Sequence, residues 1–310
     1  MKKFMLRAPF YFIALFISIS SCKKDNTDPV INPDQDEQVV HTQDQATVSN
    51  DLDALSNDLN VAIESNFSFS GRFQQTNSIC GATAVSDTTG NTKTITITYN
   101  GNNCANTHHR SGTIVLSMPS GVRWKNPGAV LTVNYNNLKI TRLVDNKWIK
   151  INGTHTHTNV TGGLIVNLAT LNEIIHTISS NNMTIAFADS TQRSWNVARK
   201  RIYNYNNGIV IRTTGTHTIN NHTGVAEWGT DRFGHPFLTK ISHPLTIRQD
   251  CNFRLTSGQV KHYRPVGEAV VTFGLNSSGQ PTSCPGAAPF YYKVEWTGPN
   301  GITHSVIHPY

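Results

Sequence analysis

Residues 94–118 read TITITYNGNNCANTHHRSGTIVLSM, and this stretch decides the fold class. Large apolar residues alternate with threonine in its first part, and apolar residues fill every second position again in its last part. The residues that alternate in this way are Ile95, Ile97, Tyr99, Ile114, Leu116 and Met118. Because successive side chains of a strand point to opposite faces of a sheet, the pattern predicts two half-buried strands.

The same alternation continues along the chain beyond Phe67. It recurs in Val130–Tyr135 and in a last hairpin around residues 290–306. Turn sequences separate the runs at Asn126-Pro127-Gly128, Asn206-Asn207-Gly208 and Asn300-Gly301. Strands joined by short turns pair antiparallel, so the predicted fold class is mainly β, with antiparallel sheets in an extended or sandwich-like β meander.

A single short helix precedes the strands. Asn50 is a suitable N-cap residue, and apolar residues follow it at steps of three and four. These apolar residues are Leu52, Leu55, Leu59 and Ile63. The predicted helix covers residues 48–66, and its apolar stripe is expected to pack on the sheet.

A weak internal repeat divides the strand region. The sequence INGTHTHTN at residues 151–159 is echoed by TTGTHTINN at residues 213–221. The repeat predicts two related antiparallel β units, residues 67–180 and residues 181–310.

The first 21 residues have the three parts of a secretory signal peptide. Three basic residues are followed by the apolar run Phe10–Ile19 and by two serines, and Cys22 comes next. The apolar run is shorter than the roughly 20 residues of a membrane-spanning helix. The sequence therefore predicts a lipoprotein signal peptide over residues 1–21 and a lipid on Cys22, which a flexible tether would follow.

The predicted tether covers residues 22–47. This stretch is rich in Asp, Asn, Gln and Pro and poor in apolar residues, a composition that does not offset the entropy cost of ordering. Lys23 rather than an aspartate follows the cysteine, which by resemblance to lipoprotein sorting rules favours the outer membrane. Periplasmic and surface-exposed orientations both stay open.

Four cysteines follow Cys22. An exported chain with an even number of cysteines is expected to form disulfides. Proximity in sequence favours pairing of Cys80 with Cys104 and of Cys251 with Cys284. A zinc site is the alternative, although the chain has no C-x-x-C pair.

Several of these motifs occur together in a known group of proteins. The carrying motifs are RSGTIVL at residues 110–116 after Cys104, the Asn-Pro-Gly turn before Val130–Tyr135, the Gly-Thr-His-Thr repeats, and Cys251 followed by a Ser257-Gly258 strand and Cys284. In these features the chain resembles the uncharacterised β-rich lipoproteins of Bacteroidota over most of residues 50–300. The resemblance implies the same antiparallel fold and lipid anchor, and it brings no assigned activity.

Histidines are the sharpest candidates for a site. His155 and His157 form an H-x-H pair whose side chains share one face of a strand, a spacing that occurs in metal sites. In a regular strand they share that face with Ile149 and Ile151, and His217 has the corresponding place in the second repeat. These three histidines are the candidate metal ligands, on an inner and partly dry face, although a bulge at the preceding glycines would change the face.

The composition and motifs limit the function classes. The formal net charge of +7 falls to +4 without the three leader cations, and the charges that stay are scattered, so no nucleic-acid partner is predicted. The sequence has neither a phosphate-binding glycine loop nor a G-x-S-x-G elbow, so no cofactor and no catalytic residue are predicted. These features weigh against an enzyme without deciding the question.

The predicted function is that of a lipid-anchored cell-envelope protein with a structural or binding role. Its predicted partners are the membrane, through the lipid on Cys22, and a glycan or an envelope protein. The alternative is a metal- or glycan-dependent surface enzyme or a carbohydrate-binding module. Aromatic platforms for the latter would come from Trp124, Trp148, Trp195, Trp228 and Trp296.

Overall fold

A long helix leads into the sheet. The computed structural model describes residues 33–71, 78–284, 289–298 and 301–310. Helix α1 (Pro33–Ser65) is followed by a single turn, α2 (Phe67–Ser70), which Asn66 caps and Gly71 ends in the left-handed conformation. The predicted signal peptide, Cys22 and the first part of the predicted tether lie outside the described residues.

Helix α1 corrects two predicted boundaries. It begins at Pro33, so residues 33–47, predicted as tether, are helical, and the predicted short helix 48–66 is only the second half of α1. Proline suits the first helical position because its missing N–H is not needed there. The prediction failed because it required apolar residues on the buried stripe, whereas the buried side chains of the first half are polar.

Fifteen strands follow the two helices. They are β1 (Ala82–Asp87), β2 (Thr92–Asn102), β3 (His108–Pro119), β4 (Ala129–Arg142), β5 (Trp148–Asn159), β6 (Ile174–Phe187), β7 (Gln192–Tyr205), β8 (Ile209–Gly215), β9 (His217–Ile219), β10 (His222–Thr230), β11 (Pro236–Arg248), β12 (Arg254–Arg264), β13 (Gly267–Leu275), β14 (Tyr291–Thr297) and β15 (Thr303–Pro309). All of them belong to one antiparallel sheet. The predicted mainly β, antiparallel meander is confirmed, as one extended sheet.

The strand order follows the chain except at one position. From β1 to β7 and from β10 to β15 each strand pairs with the next, whereas β8 and β10 both lie between β7 and β11. β8 and β10 run in the same direction, and each is antiparallel to both β7 and β11. β8 pairs with one part of β7 and of β11, and β10 pairs with another part of each. They therefore fill one strand position, and residues 216–224 leave it as a hairpin, called here the arm.

The predicted division into two β units is wrong. The boundary between residues 180 and 181 falls inside β6, which pairs with β5 and β7 on both sides of that point. Residues 33–310 form one compact unit. The repeated GTHT segments lie in β5 and at the start of the arm, two places with different pairing partners.

The core lies between α1 and one face of the sheet, called here the inner face; the opposite face is the outer face. Leu52, Leu55, Leu59 and Ile63 of α1 are buried in one cluster with apolar residues of β2 to β7. Burial of a side chain of this size contributes about 1.5–3 kcal/mol. A second cluster lies on β10 to β14 and includes Val271.

Both predicted disulfides are present. Cys80 pairs with Cys104 and Cys251 with Cys284, with Cα–Cα distances of 5.2 and 5.4 Å. These distances are within the usual range for disulfides. Each bridge closes a local loop, the first beside the β2–β3 hairpin and the second between the turn that precedes β12 and the segment that follows β13.

Candidate functional site

The inner face carries a row of buried arginines that face acidic side chains of α1. Strands β3, β7 and β12 contribute four of them, the turn between β10 and β11 contributes the half-buried Arg232, and the acidic residues are spread along the helix. The ion pairs between them are Arg264 with Glu37, Arg232 with Asp44, Arg199 and Arg201 with Asp53, and Arg110 with Asp58. The helix is therefore held by charge pairs as well as by its apolar stripe.

Glu227 on β10 is the centre of the largest of these groups. Its carboxylate accepts hydrogen bonds from Gln45 of α1 and, at 2.9 Å, from the Trp195 indole N–H, and it pairs with the Arg199 guanidinium. Ser49 of α1 adds a hydroxyl at 3.3 Å. A buried charge with this many partners fixes the position of α1 on the sheet.

A second group surrounds the beginning of α1. The Arg264 guanidinium lies 2.8 Å from Asp231 and 3.0 Å from Glu37. His41 packs against the rings of Phe237 and His262. Burial lowers the pKa of His262 to about 3 and that of His41 well below its ordinary value, with Arg193 contributing to both shifts.

Arg193 is the least satisfied of the buried arginines. It is 2% exposed, and within the described part of the chain none of its three guanidinium nitrogens has a hydrogen-bond partner. Its guanidinium lies 5.1 Å from the centre of the Phe237 ring, and Asp44 and Asp231 act on it electrostatically. Burial lowers its pKa to about 10. The cation is held by an aromatic face and by nearby carboxylates.

His155 and His157 lie buried on the inner face, as the strand parity predicts. The bulge between Asn152 and His155 does not change this alternation. His155 and His157 therefore lie on the same face as Ile149 and Ile151. His176 of β6 joins them, and the His155 and His157 rings are 5.8 Å apart. His176 was not predicted, because a single histidine in an isoleucine-rich strand carries no spacing signal.

The surroundings of these three histidines are positive. Burial, followed by the arginine charges of Arg199 and Arg201, lowers the pKa of His155 to about 3, and burial with Arg201 does the same for His176. The pKa of His157 is also lowered, mainly by burial. The rings are therefore neutral at pH 7, but the adjacent guanidinium groups oppose the binding of a metal cation.

A small cavity lies where α1 crosses these histidines. It has a volume of about 10 Å³, and its walls include His157, His176, Arg201, Tyr203 and Asn60. Nε2 of both His157 and His176 is buried without a hydrogen-bond partner in the described structure. A polar cavity of this size accommodates one water molecule, which could hydrogen-bond to both rings.

His217 lies away from this site, and its predicted position is wrong. It is exposed at the start of the arm and stacks on Trp228 of the outer face, with the ring centres 4.3 Å apart. The cause is the departure of the chain from the sheet after Gly215. A Cβ on that glycine would lie 2.2 Å from the carbonyl oxygen of Gly224, so the two ends of the arm cross in close contact.

One group of three potential metal-ligating residues occurs in the described ranges, and it is not the predicted one. It consists of Asp250, Cys251 and Cys284. The two cysteines are joined in a disulfide and are not the thiolates that bind metals. This group is therefore separate from the predicted histidine site.

A larger groove lies between the end of α1 and the inner face of β1. Its volume is about 400 Å³, and its walls carry small or hydroxyl-bearing side chains such as Ala62, Ser65, Ala84 and Ser86. This volume suits a small molecule. The wall residues that the structure describes carry no acid, base or thiol.

The five tryptophans are divided between the two sides of the sheet. Trp124 and Trp195 are buried in the core. Trp296 pairs with Ala269 and stacks on His304 on the inner side of the last strands. Trp148 and Trp228 are half-buried and alternate with inward residues, so these two tryptophans face outward. The Lys139 ammonium lies over the Trp148 ring, 4.6 Å from its centre.

Comparison of this chain with family models, with curated proteins and with solved structures found no match. Within the described residues, neither helix is both long and apolar enough to cross a membrane. The proposals below therefore depend on the residues of this chain alone.

Proposed function

We propose that this chain is a lipid-anchored cell-envelope protein whose sheet serves a structural or binding role. The attachment point is Cys22, at the end of the apolar leader run, and ten residues separate it from the start of α1. The outer membrane is the proposed location, since a lysine follows the cysteine. The resemblance to Bacteroidota lipoproteins agrees with this proposal.

The observation that carries the binding role is the occupation of the inner face by α1. The buried carboxylates of the inner face pair with arginines, and its histidines are neutral and closely packed. These buried ion pairs and histidines attach α1 to the sheet, so they are poorly placed to act on a substrate. The outer face and the two end strands of the described sheet, β1 and β15, are then the surfaces that a partner would meet.

The two disulfides support export. Cys80–Cys104 and Cys251–Cys284 both close surface-side loops of the sheet, and such bonds persist in oxidising compartments and are rare in the cytosol. Each bridge also restricts the unfolded chain, which stabilises the fold by about 3–4 kcal/mol for loops of this length. A tethered protein outside the cell's folding machinery benefits from that stability.

Metabolic labelling with a fatty acid tests the anchor. We expect the wild-type chain to take up label, the Cys22→Ala variant to lose it, and the neighbouring Lys24→Ala variant to keep it as the matched control. Label that persists in Cys22→Ala would exclude the proposed attachment point. Protease treatment of intact cells then distinguishes the surface from the periplasm, because only a surface-exposed chain is cleaved.

A further inference from the structure

We propose that Trp228 and Tyr263 form a carbohydrate-binding surface on the outer face and that the arm, residues 216–224, is its lid. This proposal rests on the binding role proposed above and names the class of ligand. Trp228 is on β10 and Tyr263 on β12, and both side chains alternate with inward residues of their strands.

The two rings are correctly spaced for an extended ligand. Trp228 pairs with Leu238 of β11, and Leu238 pairs with Tyr263, so the three residues form one row across neighbouring strands. Two strand spacings place the ring-bearing residues about 10 Å apart. The row therefore has space for more than one sugar ring.

Polar groups surround the rings. The Tyr263 hydroxyl hydrogen-bonds to Glu268, which also pairs with Lys261 at 2.7 Å. Asn196 of β7 lies beside Trp228 and donates to its backbone carbonyl at 3.2 Å. Sugars combine apolar C–H faces with a rim of hydroxyls, so aromatic faces bordered by amide, ammonium and carboxylate groups match both parts of such a ligand.

The arm already covers both rings with planar side chains. His217 stacks on Trp228 at 4.3 Å with an angle of 14° between the rings, and His222 lies 4.2 Å from Tyr263. The two histidines come from the two strands of the hairpin, which turns at Asn220 and Asn221 with positive φ at both. They occupy the positions that sugar rings would take.

The backbone of the arm is attached to the sheet at its base, as that of a movable lid would be. Its first strand, β9, pairs with β10 alone and lies off the main path of the sheet. At its base Gly215 crosses Gly224, whose φ is +77°, a backbone conformation that glycine adopts without strain. The position between β7 and β11 is filled by β8 and β10. The arm can therefore move away from the sheet while the hydrogen bonds of β8 and β10 to β7 and β11 stay in place.

Isothermal titration calorimetry tests this surface. The full chain, purified in a detergent that contains no sugar, is titrated with chitotetraose, cellotetraose, maltotetraose and tetragalacturonate. We expect at least one of them to bind, and Trp228→Ala to weaken that binding at least about tenfold. Trp148→Ala removes the other outward tryptophan and is the matched control, with binding unchanged. Tyr263→Ala is the second variant, in case Trp228→Ala does not fold.

The His217→Ala variant tests the lid. Since a sugar ring must displace the imidazole from Trp228, this variant is expected to bind about two- to tenfold more tightly. Unchanged or weaker binding would overturn the lid, and equal losses in Trp228→Ala and Trp148→Ala would overturn the site. If no sugar of the panel binds either the wild type or His217→Ala, the carbohydrate proposal is wrong, whereas the fatty-acid label on Cys22 would be unaffected.

Discussion

The two halves of α1 are buried to the same depth by opposite chemistry. In the second half the buried positions are Val48, Leu52, Leu55, Leu59, Ala62 and Ile63. In the first half the same steps of three and four continue through Gln38, His41, Thr42 and Gln45, each at most 4% exposed. One stripe therefore runs along the helix, apolar over β2 to β7 and polar over β10 to β12.

The difference shows how polar side chains form a core. Gln45 reaches Glu227 and Thr239, and the Arg264 guanidinium reaches Gln38 at 3.3 Å. Each buried polar group on the helix needs a partner in a fixed position on the sheet, whereas an apolar group needs only a surface of the right shape. The first half is thus more specific in its packing and more sensitive to the loss of one partner.

Acid should produce the largest effect, and it acts on both halves. Five buried histidines are neutral in the folded chain, with lowered pKa values: His41, His155, His157, His176 and His262. Below about pH 6.5 the unfolded chain binds protons at these residues and the folded chain does not. Each then reduces the free energy of unfolding by about 1.4 kcal/mol per pH unit.

Asp51 acts in the opposite direction. Burial raises its pKa to about 7, so the folded chain takes up this proton before the unfolded chain does as the pH falls. Asp51 offsets one histidine, which leaves about 5 kcal/mol per pH unit. Burial also raises the pKa values of Asp44 and Asp58, so these two carboxyls reduce the slope further at the acid end of the range. We expect unfolding between pH 6 and about pH 4.5, measured by circular dichroism, since domain stabilities are about 5–15 kcal/mol. A free energy of unfolding that is flat over this range would contradict the neutral state of the histidines.

Glu227→Leu should have the next largest effect, and it tests the polar half. The substitution leaves the Arg199 guanidinium and the Trp195 indole N–H without their buried acceptor. Loss of one partner from a buried ion pair costs about 3–5 kcal/mol. Urea denaturation followed by tryptophan fluorescence measures it. A variant as stable as the wild type would mean that the polar half adds nothing to the attachment of α1.

Leu55→Ala makes the corresponding change in the apolar half. Leu55 is 1% exposed in the main core, and truncation of a buried leucine costs about 2–5 kcal/mol, depending on how far the neighbours close the cavity. The same urea experiment compares it directly with Glu227→Leu. If Leu55→Ala proves the more destabilising of the two, the proposed greater sensitivity of the polar half is wrong.

Lys293→Met should have the smallest effect. Lys293 forms an ion pair with Glu295 at 2.9 Å on β14, where both side chains are about one-third exposed. Exposed pairs contribute about 0–1 kcal/mol because water and salt screen them. The melting temperature should therefore stay close to that of the wild type. A large decrease would show that charge pairs matter here regardless of burial.

The sheet could be predicted from the sequence, but the groups that face α1 could not. Alternation in β2, β3 and β4 depends only on neighbours in the chain, and the short turns fix the order of the strands. The extent of α1 depends on partners more than 170 residues away, such as Glu227 for Gln45. The helical spacing of Gln38, His41 and Gln45, in phase with the leucines, was the available signal.

The position of the arm was unpredictable for a related reason. The GTHT segment in β5 and the one at the start of the arm are nearly identical, yet the first stays in the sheet and the second leaves it. The two segments differ because Gly215 crosses Gly224 at the base of the arm. This crossing lies between β7 and β11, so it depends on residues that are distant in sequence. His155 and His157 thus have the predicted face, whereas His217 does not.

The crossing at the base of the arm also makes the arm a natural place to graft new sequence. Gly215 and Gly224 are in contact, so a replacement loop has almost no gap to span between them. β8 and β10 retain their partners on β7 and β11 whatever connects them. A peptide epitope or a fluorescent tag inserted there would be displayed on the outer face of the sheet, away from the helix that completes the core.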